Sequence, residues 1–197
     1  MIGSGQEFID ESFPHQNDGM IYWNDHASGR SDTSLKQERA YKFDKAIGET
    51  SLWGDDLRPN TLDIDQGDVQ DCFMLASAAS LSWVPERIKK IFLTDELNKE
   101  GIIAVRFFIG GKPTVVVIDD AVPWKNKQRL MFAQTSEDNG SWIPYLEKAY
   151  AKFAGNYEKT AKGWMSESMR ILTGAPSHRF NMKKMGNEEL WALMVSA

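Results

Sequence analysis

The sequence of 197 residues has one cysteine and three histidines. A single cysteine cannot form an internal disulfide, and it cannot build a thiolate metal site by itself. This cysteine usage is typical of a reducing compartment. We therefore expect a cytoplasmic or other intracellular protein, without a structural disulfide or a zinc-type site.

Long apolar runs and signal-peptide patterns are also missing. No stretch approaches the roughly 20 apolar residues that cross a bilayer, and the N-terminus lacks a basic segment followed by an apolar one. The charge is mixed, with a net value of −5 and no basic stripe, so nucleic acid is not an expected partner. A hydrophobic content of 42% is sufficient for one packed domain without a membrane span.

The only cysteine lies where a polar segment meets an apolar one. Residues 63–71 are polar and contain Gly67, and residues 73–81 are small or apolar, which predicts a helix buried on most of its faces. Cys72 then lies in the first turn, where unpaired N–H groups and the helix dipole favour the thiolate. Gln66 lies six positions upstream, so its amide can return to the sulfur as an oxyanion donor.

Two other interpretations of Cys72 remain open from the residues alone. A lone intracellular cysteine is commonly a small buried hydrophobe. A thiol-redox role is also conceivable, but the chain has no second cysteine to resolve a disulfide.

The first 60 or so residues are rich in Gly, Asp, Asn and Ser and carry aromatic residues at irregular spacing. This composition predicts an extended arm held to the domain by single aromatic anchors, with one helix around residues 34–46. His15 and His26 lie in polar loop contexts. We interpret both as solvated side chains.

Beyond the Cys72 helix, the pattern changes from helical to strand-like. Pro85 suits the first turn of a second helix. Residues 102–109 and 114–118 predict a hairpin that turns at Gly110-Gly111. The pair Asp119-Asp120 ends the second strand; a catalytic carboxylate pair is an alternative, but a polar strand end is the favoured interpretation.

The clearest amphipathic helix is predicted from Trp142 to Phe153, with Gly155 placed to cap its end. We expect this helix to pack against the Cys72 helix. A short capped helix starts near Asn187, and we interpret residues 181–197 as a linker or the start of a truncated second subdomain.

Several segments resemble the calpain-type cysteine proteases. In that family a Gln-Gly pair, a short turn and Asp-Cys-aromatic open the central helix of a papain-like fold, as Gln66-Gly67 and Asp71-Cys72-Phe73 do here. Similar segments elsewhere are residues 8–14, 115–123, 146–152 and 172–174, together with Trp142, Gly155 and Tyr157-Glu158.

The resemblance implies an α+β fold: the mainly helical, Cys-bearing left half of a papain-like core, with a small antiparallel sheet. Residues 61–180 would form this subdomain, preceded by the arm of residues 1–60. Cys72 would be the nucleophile and Gln66 an oxyanion donor, while Gly163 would line the cleft and bind the substrate backbone. The His and Asn would come from a second subdomain that this sequence does not contain, and His178 is in the wrong context to replace the His.

The sequence departs from the family pattern at three places. Gln70 replaces the usual Gly before Asp-Cys, and Phe73 replaces the usual Trp after it. The family's calcium site would use Asp63, but Gly140 stands where a Glu ligand is expected, with Glu137 and Asp138 only nearby. Loss of a carboxylate ligand should weaken binding of Ca²⁺, which prefers several oxygen ligands.

Two functions remain in competition. The chain is either the Cys-bearing half of a calpain-like endopeptidase that cleaves polypeptides with a second subdomain, or an inactive calpain-like binding or scaffold module in a larger assembly. Because the His and Asn are missing, we expect the chain by itself to have little or no activity.

Overall fold

A computed structural model describes residues 3–13, 37–39, 50–125 and 129–196. This part of the chain forms an α+β fold with five α-helices and two small antiparallel sheets, which confirms the predicted class. The helices are α1 (Cys72–Ser82), α2 (Pro85–Lys89), α3 (Trp142–Ala154), α4 (Met165–Thr173) and α5 (Asn187–Ser196). The strands are β1 (Gln37–Arg39), β2 (Ile102–Ile109), β3 (Lys112–Asp119), β4 (Ala121–Lys125) and β5 (Arg129–Leu130).

Helix α1 begins at Cys72, as predicted, and runs through the centre of the core. Small residues let its neighbours approach on most sides, and Met74 and Ala78 are completely buried. A hydrogen bond of 2.6 Å between the hydroxyls of Ser77 and Ser168 joins α1 to α4. The position of α1, and therefore of Cys72, is thus fixed by its packing against α4.

The prediction that α3 packs against α1 is wrong for most of the length of α3. Helix α3 lies mainly against the β2–β3 hairpin, and α4 is the helix packed along α1. The aromatic stripe of α3 still reaches α1 at one point, where the Phe73 and Tyr150 rings meet edge to face at 6.1 Å. Small and hydroxyl-bearing side chains on α1 and α4 allow the closer approach, whereas the bulky face of α3 is better covered by a sheet.

The predicted hairpin is present and forms a sheet of its own. Strands β2 and β3 pair in antiparallel register, with Ile102 opposite Asp119 and Ile109 opposite Lys112. Gly110 and Gly111 both have positive φ, 58° and 79°. A two-residue turn of this type matches the twist of the strands and favours glycine at both positions.

The predicted helix of residues 34–46 is wrong where the structure describes it. Residues Gln37–Arg39 form β1, which pairs antiparallel with β4, so sheet pairing overrides the local helical spacing. The rest of that predicted helix, and both His15 and His26, lie outside the described residues.

Within the described residues, the helices are too short or too polar for any of them to traverse a lipid bilayer.

The N-terminal segment is tied to the core by buried charges. Lys148, on α3, is fully buried and donates to the Asp119 carboxylate at 2.6 Å. The same carboxylate accepts the Asp10 N–H at 2.9 Å, and Asp10 in turn forms an ion pair with Lys152 at 2.6 Å. Burial alone would raise the pKa of Asp119. Lys148 and the backbone N–H groups of Asp10 and Ala121 instead hold this pKa below its ordinary value.

We expect Lys148→Met to lower the free energy of unfolding by about 3–5 kcal/mol, because it leaves the buried Asp119 carboxylate without its cation. Urea unfolding followed by circular dichroism measures this loss. Adding Asp119→Asn should recover part of it by removing the stranded charge. The matched control is Lys112→Met at the exposed first residue of β3. A change in Lys148→Met as small as that in the control would contradict a stabilising role for the Lys148–Asp119 ion pair.

Candidate active site

Cys72 opens into a groove on the protein surface. The side chain is exposed although the next three residues of α1 are buried. The groove has a volume of about 1050 Å³, and Gly163 and the aromatic residues Trp164 and Phe180 also line it. The structure therefore brings the predicted nucleophile and the predicted substrate-binding glycine to one cleft, and it excludes the interpretation of Cys72 as a buried hydrophobe.

The loop before Cys72 is held against the segment that follows β5. Asp68 N–H donates to the Met131 carbonyl at 3.0 Å, and Gln134 N–H donates to the Asp65 carbonyl at the same distance. Between these bonds the Gly67 Cα approaches the Phe132 main chain so closely that a Cβ there would overlap with it. Glycine is thus required at position 67 for close backbone approach.

Gln66 lies within this loop and its side chain is exposed. Its Nε2 donates to the Val69 carbonyl at 2.6 Å, which closes the turn that leads to Cys72. A side-chain amide has two N–H donors, so one remains for a second acceptor. Asp71, the residue before α1, makes no side-chain capping bond, and the first-turn N–H groups of the helix have no intrahelical acceptor.

The Phe73 ring leaves no space for a side chain at position 163, which also lines the groove. A Cβ at position 163 would overlap with the tip of the Phe73 ring. The preceding residue, Lys162, has a positive φ of 66° and donates its N–H to the Gln70 carbonyl at 3.0 Å. The loop before Cys72 and the loop before α4 are therefore joined directly across the base of the groove.

The far rim of the groove was not identified from the sequence. Arg179 lies over the Trp164 ring at 4.9 Å and forms an ion pair with Glu167 at 3.1 Å. Phe180 and Met182 continue this rim and are more than half exposed. Their irregular spacing after α4 gives no periodic signal, so only the fold places them beside Cys72.

His178 is exposed and contacts the Phe180 ring at 6.4 Å, but it does not line the groove. No histidine is therefore present among the described residues that line the groove with Cys72. That His178 is not the catalytic base stays a prediction.

A sequence profile described as "Calpain family cysteine protease" matches residues 8–197. The chain belongs to the calpain family. It is 34% identical to the calpain-type cysteine protease ADL1 of Oryza sativa subsp. japonica over 69% of this chain and 6% of that protein. It is 31% identical to Calpain-A of Drosophila melanogaster over 93% of this chain and 21% of that protein.

Calpain-8 of Homo sapiens is 39% identical over 62% of this chain and 18% of its own length. The chain thus spans about a fifth or less of these calpains. The matches confirm the predicted cysteine protease family and the half-core fold.

Asp63, the predicted calcium ligand, accepts hydrogen bonds from two protein groups. Asp63 is buried, and its Oδ2 accepts from the Asn60 N–H at 2.7 Å and from Trp142 Nε1 at 2.6 Å. Burial raises the pKa of this carboxyl. Gly140 supplies no carboxylate, and a side chain there would press on Ser136 Oγ.

The described residues contain no group of three or more His, Cys, Asp or Glu side chains placed to hold a metal ion. Through its hydrogen bond with Trp142, Asp63 links the segment before Cys72 to α3.

Two buried carboxyl groups lie behind Cys72. Asp71 and Glu147 are both almost fully buried, and Glu147 Oε2 accepts the Ala133 N–H at 3.0 Å. Burial raises the pKa of Asp71 to about 6, against a smaller opposing effect of a hydrogen bond from Glu147. Burial and the neighbouring Asp71 charge raise the pKa of Glu147 well above its ordinary value. The pair thus holds a proton that the unfolded chain would have released.

We expect Gly163→Ala to destabilise the fold by about 1–3 kcal/mol, because the added methyl group must displace the Phe73 ring. Phe73→Leu removes the tip of that ring, so Gly163→Ala should cost less in the Phe73→Leu background. A double-mutant cycle of urea unfolding measures this coupling. Additive losses would show that the two residues do not press on each other.

The carboxyl pair predicts a decrease of stability with rising pH. Both groups have raised pKa values when folded, so their contribution is fully present below the unfolded values of 3.8 and 4.5. It is lost as the pH rises through about 6 and beyond, where the folded protein must release protons.

We expect Glu147→Gln to weaken this pH dependence, because the amide keeps an acceptor for Ala133 but binds no proton. The free energy of unfolding from urea titrations should fall less between pH 5 and pH 8 (roughly the window above the unfolded pKa values) than in the parent. Glu96→Gln, at an exposed position, is the control. Parallel curves for Glu147→Gln and the parent would contradict the prediction.

Proposed function

We propose that this chain is the nucleophile-bearing half of a calpain-type cysteine endopeptidase. The observation that carries the proposal is that Cys72, exposed at the first turn of a buried helix, shares one open groove with Gly163. A cysteine with only a packing role would be expected in the core, away from an open groove. Polypeptides are the proposed substrates, because an open groove with apolar and main-chain surfaces suits an extended chain.

In the proposed reaction the Cys72 thiolate attacks the scissile carbonyl carbon and the carbonyl oxygen becomes an oxyanion. The second N–H of Gln66 and the main-chain N–H at the start of α1 are the proposed donors to that oxyanion. The amine leaves with a proton from an imidazole, and water then hydrolyses the thioester. The imidazole and its orienting Asn are assigned to a second subdomain that faces Cys72 across the groove.

The residues around the groove are proposed to set its shape. The Phe73 ring fills the space beside Gly163, and the bond from Lys162 to Gln70 holds the two walls together. Gly163 would present its main chain to the substrate backbone, since a side chain is excluded there. The departures at Gln70 and Phe73 keep the nucleophile in place and change only the wall beside it.

One observation favours the alternative, a binding or scaffold module without catalysis. The described residues that line the groove include no histidine, so none of them supplies an imidazole base to Cys72. In that case the groove would hold a polypeptide without cleaving it, and Gln66 would serve only to close the turn at Val69.

The test is cleavage of a fluorogenic peptide by this chain alone and by a protein in which it is joined to a His- and Asn-bearing calpain subdomain. We expect activity only in the joined form, loss of about 10³-fold or more in Cys72→Ala, and a loss of about 10²-fold in Gln66→Ala. Alkylation of Cys72 by iodoacetamide, read by intact mass, shows that the groove is open in each sample.

Retained cleavage in Cys72→Ala would overturn the nucleophile assignment. A folded, joined protein would favour the scaffold module if the unalkylated form binds peptide without cleaving it while a separate sample shows that iodoacetamide reaches Cys72. Repeating the assay with calcium and with a chelator tests the Asp63 position. Because that carboxylate already accepts two N–H groups, we expect the same activity with calcium and with the chelator if Asp63 is the only calcium ligand in question.

A further inference from the structure

A second cavity lies at the opposite end of the two helices that form the groove. Helix α1 contributes Cys72 to the groove and Leu81 to this cavity, and α4 contributes Met165 to the groove and Leu172 to this cavity. At 1.5 Å per residue, the nine residues from Cys72 to Leu81 separate the two openings by about 13 Å along α1. The cavity has a volume of about 510 Å³.

The floor of this cavity is apolar and firmly packed. Leu81, Ile91 and Leu172 are buried core residues that line it. Phe108 forms part of the wall, and its ring lies so close to Gly174 that a Cβ there would be 2.7 Å from it. The cavity is therefore a preformed depression suited to an apolar side chain.

Its rim is basic. Arg87, Lys90 and Arg106 line the opening, and no acidic residue does. Arg106 is held in place because its Nη2 donates to the Lys90 carbonyl at 2.8 Å. None of the ion pairs among the described residues involves these three side chains, in a chain whose net charge is −5.

We propose that this basic-rimmed cavity, formed by α1, α2, β2 and α4, is a docking site for an acidic, amphipathic segment of a partner polypeptide. Apolar side chains of the segment enter the cavity, and Asp or Glu residues beside them pair with Arg87, Lys90 and Arg106. Three separate cations around one apolar depression match a ligand that carries several carboxylates. A fatty acid or similar amphiphile presents only one.

This docking site does not depend on the chemistry of Cys72. It would localise a bound polypeptide on the same pair of helices that carries the groove, in a protease or in a scaffold module alike. A negative cleavage assay would not contradict the docking site. A negative peptide-binding assay would not contradict the assignment of Cys72 as the nucleophile.

The test is fluorescence anisotropy of the full chain with a fluorescein-labelled peptide, Glu-Asp-Leu-Glu-Asp-Phe-Leu-Glu-Asp. We expect saturable binding that weakens with added salt. Arg87→Glu combined with Lys90→Glu should weaken it about tenfold, since attraction becomes repulsion at two rim positions. Ala175→Trp, at an exposed position on the cavity wall, should block it by filling the opening.

Four controls test whether the binding is specific to the cavity. Lys112→Glu makes the same type of charge change at an exposed position outside the cavity and should leave binding unchanged. A peptide with Lys in place of every Glu and Asp, and one with Ser in place of Leu and Phe, should bind at least tenfold more weakly. Cys72 alkylation should not alter the affinity.

Absence of binding, equal binding by the charge-reversed peptide, or competition by Cys72 alkylation would overturn the proposal. So would binding of the chain to vesicles that contain phosphatidylserine, lost in Arg87→Glu/Lys90→Glu, when the acidic peptide does not bind. That result would assign the cavity to a lipid surface.

Discussion

The close approach of Gly67 to the Phe132 main chain is the contact on which the candidate site depends. It brings the loop before Cys72 against the segment after β5, where backbone hydrogen bonds fix the loop on both sides. The start of α1, and with it the direction in which Cys72 faces, follows from that contact. A larger residue at position 67 would overlap with the Phe132 main chain and push the loop outward, and Cys72 would lose its place in the groove.

Polar groups inside the core hold the N-terminal segment and the segment before Cys72 against α3. The buried pair of Lys148 and Asp119 holds the N-terminal segment to α3 and β3, while Trp142 ties α3 to the active-site loop through Asp63. Such groups are costly to bury and costly to leave unpaired. A change to one partner therefore destabilises the packing of the segments that these groups join.

Helices α1 and α4 line one surface opening at each of their ends. Their N-terminal residues meet at an open groove with an exposed thiol, and their C-terminal residues meet at an apolar cavity with a basic rim. A hydrogen bond between the hydroxyls of Ser77 and Ser168 joins the two helices between these openings.

The local sequence was sufficient to predict the helices and turns that are specified by residues close together in the chain. The helix at Cys72, the hairpin turn at Gly110-Gly111 and the capped helix ending at Gly155 follow from spacing, apolar runs and glycine alone, and the family followed from the residues around Cys72. By contrast, residues 37–39 form a strand despite helical spacing, because pairing with β4 outweighs local propensity. Only the tertiary structure decided that α4 is the partner of α1, that Phe73 requires Gly163, and that three basic residues surround one cavity. These features depend on contacts between residues far apart in the chain, which no local pattern encodes.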